Sequence, residues 1–167
     1  VAYYASKLAE KLGLDKNIIS KIYWAGILHD IGKLGVSTDI LDKPGKLTKD
    51  EYKIIKQHPI IAYEITKDIE NFGNIPEIIK HHHERWDGKG YPDGLKGEEI
   101  PLEARILAIA DAFDAMTSKR PYRRKLTVNE ALNEINKNLG KQFDPELAKI
   151  FVEMLTNTPE IILEDNK

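Results

Sequence analysis

At 167 residues, with 41% hydrophobic side chains, the chain suits one domain that buries about two-thirds of its unfolded surface. Its 25 basic and 27 acidic residues nearly cancel, which excludes a general attraction to nucleic acid, so any anion it binds must be caught by local charge. The absence of cysteine excludes disulfides and thiolate-bound zinc, no apolar run approaches a membrane span, and no stretch reads as a signal peptide, so a reducing cytoplasm is the expected setting.

The chain opens inside an amphipathic pattern, Val1, Tyr4, Ala5, Leu8, Ala9 and Leu12, with no capping residue before it. A helix without a beginning predicts a natural polypeptide that extends upstream. Gly13 is the expected stop, and Asp15 the cap of a helix carrying Ile18, Ile19, Ile22, Tyr23, Ala25 and Ile27 that delivers His29 and Asp30 before Gly32. Pro44 and Gly45 mark a turn. Thr48 with Glu51 spells a capping box, followed by a helix through Tyr52, Ile54 and Ile55 to His58. Pro59 either breaks that helix or starts another through Ile61, Ala62 and Ile65. Ile75, Ile78 and Ile79 then lead into His81, His82 and His83, which close a helix. Asp87 to Pro92 cannot continue it, because two glycines and a proline impose an irregular loop. Pro101 opens the most apolar helix, which carries Asp111. Thr127 with Glu130 is a second capping box, and Asp144-Pro145 is a cap with proline at the first helical position. The last helix is expected to end near Leu155. No strand-period run appears, so the fold class is all-α, with a domain over residues 1–155 and a tail over 156–167.

Several residues carry chemistry. Adjacent helical residues point about 100° apart, so two neighbouring histidines of the run can reach one metal cluster while the third faces elsewhere. The residues alone leave open which two. His29-Asp30 follows a long apolar run and is forced inward, where a buried charge must be paired or metal-bound; Asp30 can bridge two metals through its two oxygens. His58 reads either as a ligand or as a polar cap before proline. Asp111, set between alanines, needs a cation: a metal, or otherwise Arg105 or Lys33. Lys33 lies one turn past His29-Asp30 and would hold a phosphate oxygen or help to protonate a leaving oxygen. Lys119 to Lys125 packs five positive charges into seven residues, which suits capture of one phosphodiester better than contact with DNA. Tyr91 and Trp86 could stack on a nucleobase, with Trp86 better read as filler under a loop. Imidazole and carboxylate ligands suit iron, manganese or nickel as readily as zinc. Together with lysine and arginine they fit metal-assisted phosphoester hydrolysis, in which two metals polarise the phosphate and activate a bridging water for in-line attack.

The runs His29-Asp30-Ile31-Gly32-Lys33, Leu41 to Thr48, and His82-His83-Glu84-Arg85-Trp86-Asp87-Gly88-Lys89-Gly90-Tyr91-Pro92 closely resemble the HD-GYP family, a branch of the HD superfamily of helical bundles. So do Ile100-Pro101, Ala104 to Ile106, Asp111 to Ala115, Arg120-Pro121-Tyr122-Arg123, Gly140 and Phe143 to Pro145. The match covers roughly Val1 to Phe151. This resemblance implies a bacterial phosphodiesterase that hydrolyses cyclic di-GMP to linear pGpG, GMP or both. It implies His29, Asp30, His58, His82, His83 and Asp111 as ligands of two or three divalent ions, iron or manganese, with Asp30 bridging. Asp30 and Lys33 would be catalytic; Lys33, Arg120 and Arg123 would hold phosphate; Gly90 and Tyr91 would line the pocket; His81 is left as a spare, second-layer or surface residue. It further implies an output domain behind a receiver or sensor domain and a GGDEF-type partner docking on the Gly-Tyr-Pro loop; a homodimer is a further partner option that no residue of the sequence decides. The family has another histidine ligand in its first helix, upstream of the position that Val1 occupies, and some members add a glutamate. The sequence begins too late to show either, so a trimmed fragment is expected, with its own activity to be judged separately. The rival expectations are an HD phosphohydrolase of another nucleotide and a signalling module that binds without turnover.

Overall fold

The computed structural model describes residues 1–118 and 124–162, and the elements within them are helical with no strand; one isolated bridge joins Leu139 and Phe143. Helix α1 spans Ala2–Lys11, and α2 spans Lys16–Leu28, capped as expected by Asp15, whose carboxylate accepts from the Asn17 and Ile18 amides. A 3₁₀ turn, Ile31–Gly35, and the short α3, Thr38–Leu41, follow. Thr48 and Glu51 form the reciprocal capping box of α4, Lys49–Ile55. The chain then starts afresh at α5, His58–Thr66, with Pro59 in its first turn, so Pro59 begins a helix and His58 heads one where the sequence placed it at a helix end. Helix α6 is Ile75–His81, with His82 as its cap, so the histidine run does close a helix.

The long helix α7, Leu102–Thr117, lies at the centre. Its Ile106, Leu107, Ile109, Ala110 and Phe113 have no solvent exposure, because α1, α2, α6, α8 (Val128–Lys137) and α9 (Pro145–Asn157) all pack on it. Phe113 takes edge contacts from Tyr4 on one side and Phe151 on the other, with ring centres 5.0 and 5.4 Å apart. The Thr127–Glu130 box and the Asp144 cap are present as expected. Helix α9 runs to Asn157, two residues past its expected end, and Ile161 and Ile162 beyond it pack against the core.

Helix α2 is apolar on more faces than it buries. Apolar residues wrap most of its circumference, but only Ile22, Ala25 and Gly26 are buried; Tyr23, Trp24 and Ile27 face outward at 44%, 49% and 53% exposure. The reason is that α1, α6 and α7 cover one side of α2 only. Among the described residues, no helix is long and apolar enough to cross a membrane.

Candidate metal centre

Five elements deliver the expected ligands to one place. His29 caps α2, Asp30 opens the 3₁₀ turn, His58 heads α5, His82 and His83 end α6, and Asp111 projects from mid-α7. The His29 Nε2 lies 3.5 Å from Asp30 Oδ2 and 3.6 Å from Asp111 Oδ1, and His58 Nε2 lies 3.6 Å from Asp30 Oδ1. The two Asp30 oxygens therefore face different imidazoles. Ring centres of His82 and His83 are 3.9 Å apart, and His58 sits 5.5 and 5.0 Å from them. Ligand atoms of His58, His82 and His83 all lie within 4.8 Å of one another.

The backbone prepares three of these rings. The Nδ1 atoms of His29, His58 and His82 bond the carbonyls of Gly26, Ile55 and Ile79, each three residues earlier. A neutral ring whose Nδ1 carries the proton presents a bare Nε2 lone pair. Those Nε2 atoms of His58 and His82 are buried with no hydrogen-bond partner. Buried polar atoms are normally satisfied, and an orphaned imidazole lone pair beside other imidazoles and carboxylates fits a divalent metal, whose histidine ligands are held through their second nitrogen in this way.

The electrostatics agree. Burial, reinforced by His83, holds His82 far below the ordinary imidazole value; burial holds His83 down at about 4 and lowers His58 as well. Three neutral imidazoles result. For His29, burial opposes the charge but is outweighed by its bond to Asp111 and the charge of Asp30, so its pKa rises. Burial pushes Asp111 up, yet His29, His82 and His83 together hold it well below the carboxylate range. Asp30 is lowered against its own burial by His29 and Lys33.

Gly32 explains how His58 gets close. A Cβ on Gly32 would run into the His58 carbonyl oxygen and stand 2.7 Å from the Ala62 amide nitrogen, so only glycine lets the 3₁₀ turn cross the start of α5. The sequence had marked Gly32 only as a place where a helix ends.

The other expected residues sort themselves as follows. Lys33 donates to Asp30 Oδ2 at 2.6 Å, on the rim of the cluster. Asp111 pairs with neither Arg105 nor Lys33: Arg105 is bound to Asp144 at 2.7 Å, and the Asp111 neighbour is His29. Tyr91 stacks on His83, ring centres 5.0 Å apart, and burial together with Tyr52 pushes its phenol pKa up. Gly90 passes so near Glu84 and Arg85 that a side chain there would meet their backbone. Trp86 is filler, lying under the Arg105 guanidinium with its amide bonded to the Gln142 carbonyl. Arg120 and Arg123 lie outside the described residues.

His81 is neither a ligand nor a surface residue. It is 6% exposed, and its Nε2 meets Asp93 Oδ2 at 2.9 Å while Lys80 donates to the same oxygen. Glu84, which has no role of its own in the sequence reading, completes this latch: its Oε1 accepts from the Asp93 and Gly94 amides at 2.7 and 3.0 Å. His81, Lys80 and Glu84 thereby tie the Gly-Tyr-Pro loop to the end of α6 and set Tyr91 on His83. The only local hint was a glutamate beside the histidines; its partners lie nine and ten residues on. A cavity beside the cluster is lined by His82, His83, Asp111, Tyr91, Tyr52 and Gln142, among others.

A model of the HD domain family matches residues 1–147. The chain belongs to the HD domain family. The HD-GYP resemblance of its motifs stands with that assignment. A protein named cyclic di-GMP phosphodiesterase from Thermotoga maritima is 43% identical to this HD domain over 158 residues, 92% of the chain and 42% of that protein. A protein of Vibrio cholerae named 3′3′-cGAMP-specific phosphodiesterase 3 is 38% identical over 160 residues, 96% of the chain and 35% of that protein. The HD domain thus spans less than half the length of these curated relatives. The solved structure of Bd1817, an HDG“Y”P protein from Bdellovibrio bacteriovorus, superposes with a TM-score of 0.70 over 93% of the chain and 51% of that chain, at 21% identity, a likeness of fold.

Proposed function

We propose that this HD domain, spanning residues 1–155 with a tail over 156–167, is a metal-dependent phosphodiesterase of cyclic dinucleotides, with cyclic di-GMP as substrate and linear pGpG, GMP or both as product. The observation that carries the reading is the pair of buried, partnerless Nε2 atoms of His58 and His82 among neutral imidazoles. His29, Asp30, His58, His82, His83 and Asp111 would hold two or three divalent ions, iron or manganese, with Asp30 between sites. Bound ions would polarise the phosphodiester and acidify a water.

The chain supplies the rest. Burial keeps His58, His82 and His83 neutral, so these three ligands need not lose protons at neutral pH. Lys33, bound to Asp30 beside the imidazoles, would hold a non-bridging phosphate oxygen and return a proton to the departing oxygen. Arg120 and Arg123 would clamp the phosphate, and Gly90 and Tyr91 would line the pocket.

The similarity to a cGAMP-specific relative supports a second reading, in which the hybrid dinucleotide is preferred. By the same resemblance the domain would act in the cytoplasm as the output unit of a bacterial signalling protein. It would answer to an upstream receiver or sensor domain and meet a GGDEF-type partner through the Gly-Tyr-Pro loop, with a homodimer as a further partner option.

The test is turnover of cyclic di-GMP and of 3′3′-cGAMP by the iron- or manganese-loaded chain, followed by chromatography, with His83→Ala alongside. Cleavage lost together with metal in the variant is expected. A chain that takes up metal and leaves both dinucleotides whole refutes the hydrolase reading, and undiminished turnover by His83→Ala refutes the ligand set.

A further inference from the structure

The cavity beside the imidazoles holds about 240 Å³, less than the roughly 300–1,000 Å³ of pockets that enclose a drug-sized ligand. A cyclic dinucleotide carries two bases and two phosphates on one ring, so when one phosphate reaches the cluster the other nucleotide must project past the rim. Tyr52 of α4 stands on that rim: it lines the cavity with His83 and Tyr91 and is nevertheless 48% exposed. Lys56, one helical turn on, places its Nζ 5.2 Å from the Tyr52 ring centre and 5.8 Å from that of Tyr91. Among the described residues, Lys33 is paired with Asp30 and Arg85 with Asp87, whereas Lys56 has no carboxylate partner. Tyr91 has one face against His83, which leaves Tyr52 as the more accessible of the two cavity tyrosines.

We propose that Tyr52 and Lys56 form a second subsite, which takes the nucleotide that is not being cut. Tyr52 stacks on its base and Lys56 meets the distal phosphate. This subsite rests on the hydrolase reading above and adds specificity for a dinucleotide over a simple phosphodiester. Base–aromatic stacking and one charge-assisted phosphate contact are each worth about tenfold in affinity.

The test compares Lys56→Gln and Tyr52→Leu with the unsubstituted chain on two probes, cyclic di-GMP and the base-free diester bis(p-nitrophenyl) phosphate. Each variant is expected to lose about tenfold in kcat/KM on cyclic di-GMP, mainly through KM, and several-fold less on the base-free diester. Equal losses on both probes, or no loss on cyclic di-GMP, overturn the subsite. If the unsubstituted chain cuts neither probe, the hydrolase reading fails and the dissociation constant for cyclic di-GMP decides: a tenfold rise in the variants supports the subsite, and an unchanged value overturns it.

Discussion

Replacing Gly32 by alanine should damage fold and site together. The added Cβ would stand 2.7 Å from the Ala62 nitrogen and 2.8 Å from the His58 carbonyl carbon, and nearer still to that carbonyl's oxygen. Ordinary contact begins near 3.4 Å, so the turn and the head of α5 must separate by at least about 0.7 Å. Every one of these neighbours is backbone, so no flexible side chain can yield. Overpacking of this kind costs typically about 1–3 kcal/mol, and a backbone clash belongs at the upper end. For a domain of this size, about 3 kcal/mol lowers the melting temperature by roughly 6–12 °C. The same displacement carries the His58 ring away from His82, His83 and Asp30, and a misplacement near 1 Å can cost about 100-fold in a positioned reaction. Thermal unfolding followed by circular dichroism, paired with metal stoichiometry by elemental analysis, checks both effects. A Gly32→Ala chain that melts within a degree of the original and binds the same complement of metal would refute the close-approach argument.

Added Mn²⁺ at about 100 times its dissociation constant should stabilise the chain by about 2.7 kcal/mol, read as a rise in melting temperature that His83→Ala abolishes. Chelator-treated protein should lose stability as pH falls from 6.5 towards 4. In that window the unfolded chain protonates His83 and the folded chain does not, so stability rises with pH, by about 3 kcal/mol for this group alone. His58 and His82 act in the same direction; His29, whose pKa is raised, opposes them with a stabilisation lost as pH rises through its folded value. Urea unfolding at several pH values tests the sign, and a flat or inverted profile contradicts it. Arg105→Ala should cost about 3–5 kcal/mol in denaturant unfolding, because it strands the buried Asp144 that also caps α9; a loss below 1 kcal/mol would contradict that pairing.

Much of the molecule was legible in its amino acids because the signals are local. Asp15, Thr48, Thr127 and Asp144 bind amides two or three residues away, so sequence spacing suffices to place them. An aspartate among alanines on an apolar helix could only be buried, which marked Asp111. The motifs around His29, the histidine run and Gly90-Tyr91-Pro92 carried the family. Tertiary structure decided what depends on backbones meeting far along the chain. It sent His81 to Asp93 and away from the cluster, turned Gly32 from a helix stop into the point where the turn crosses α5, and gave Arg105 to Asp144. It also brought Tyr52 and Lys56 to the side of Tyr91, across an interval of 35 residues from Lys56, where no periodicity reaches. Helical period and capping report a residue's own turn; which turn lies against it is set by the packing of α2, α5, α6 and α7 around a shared core.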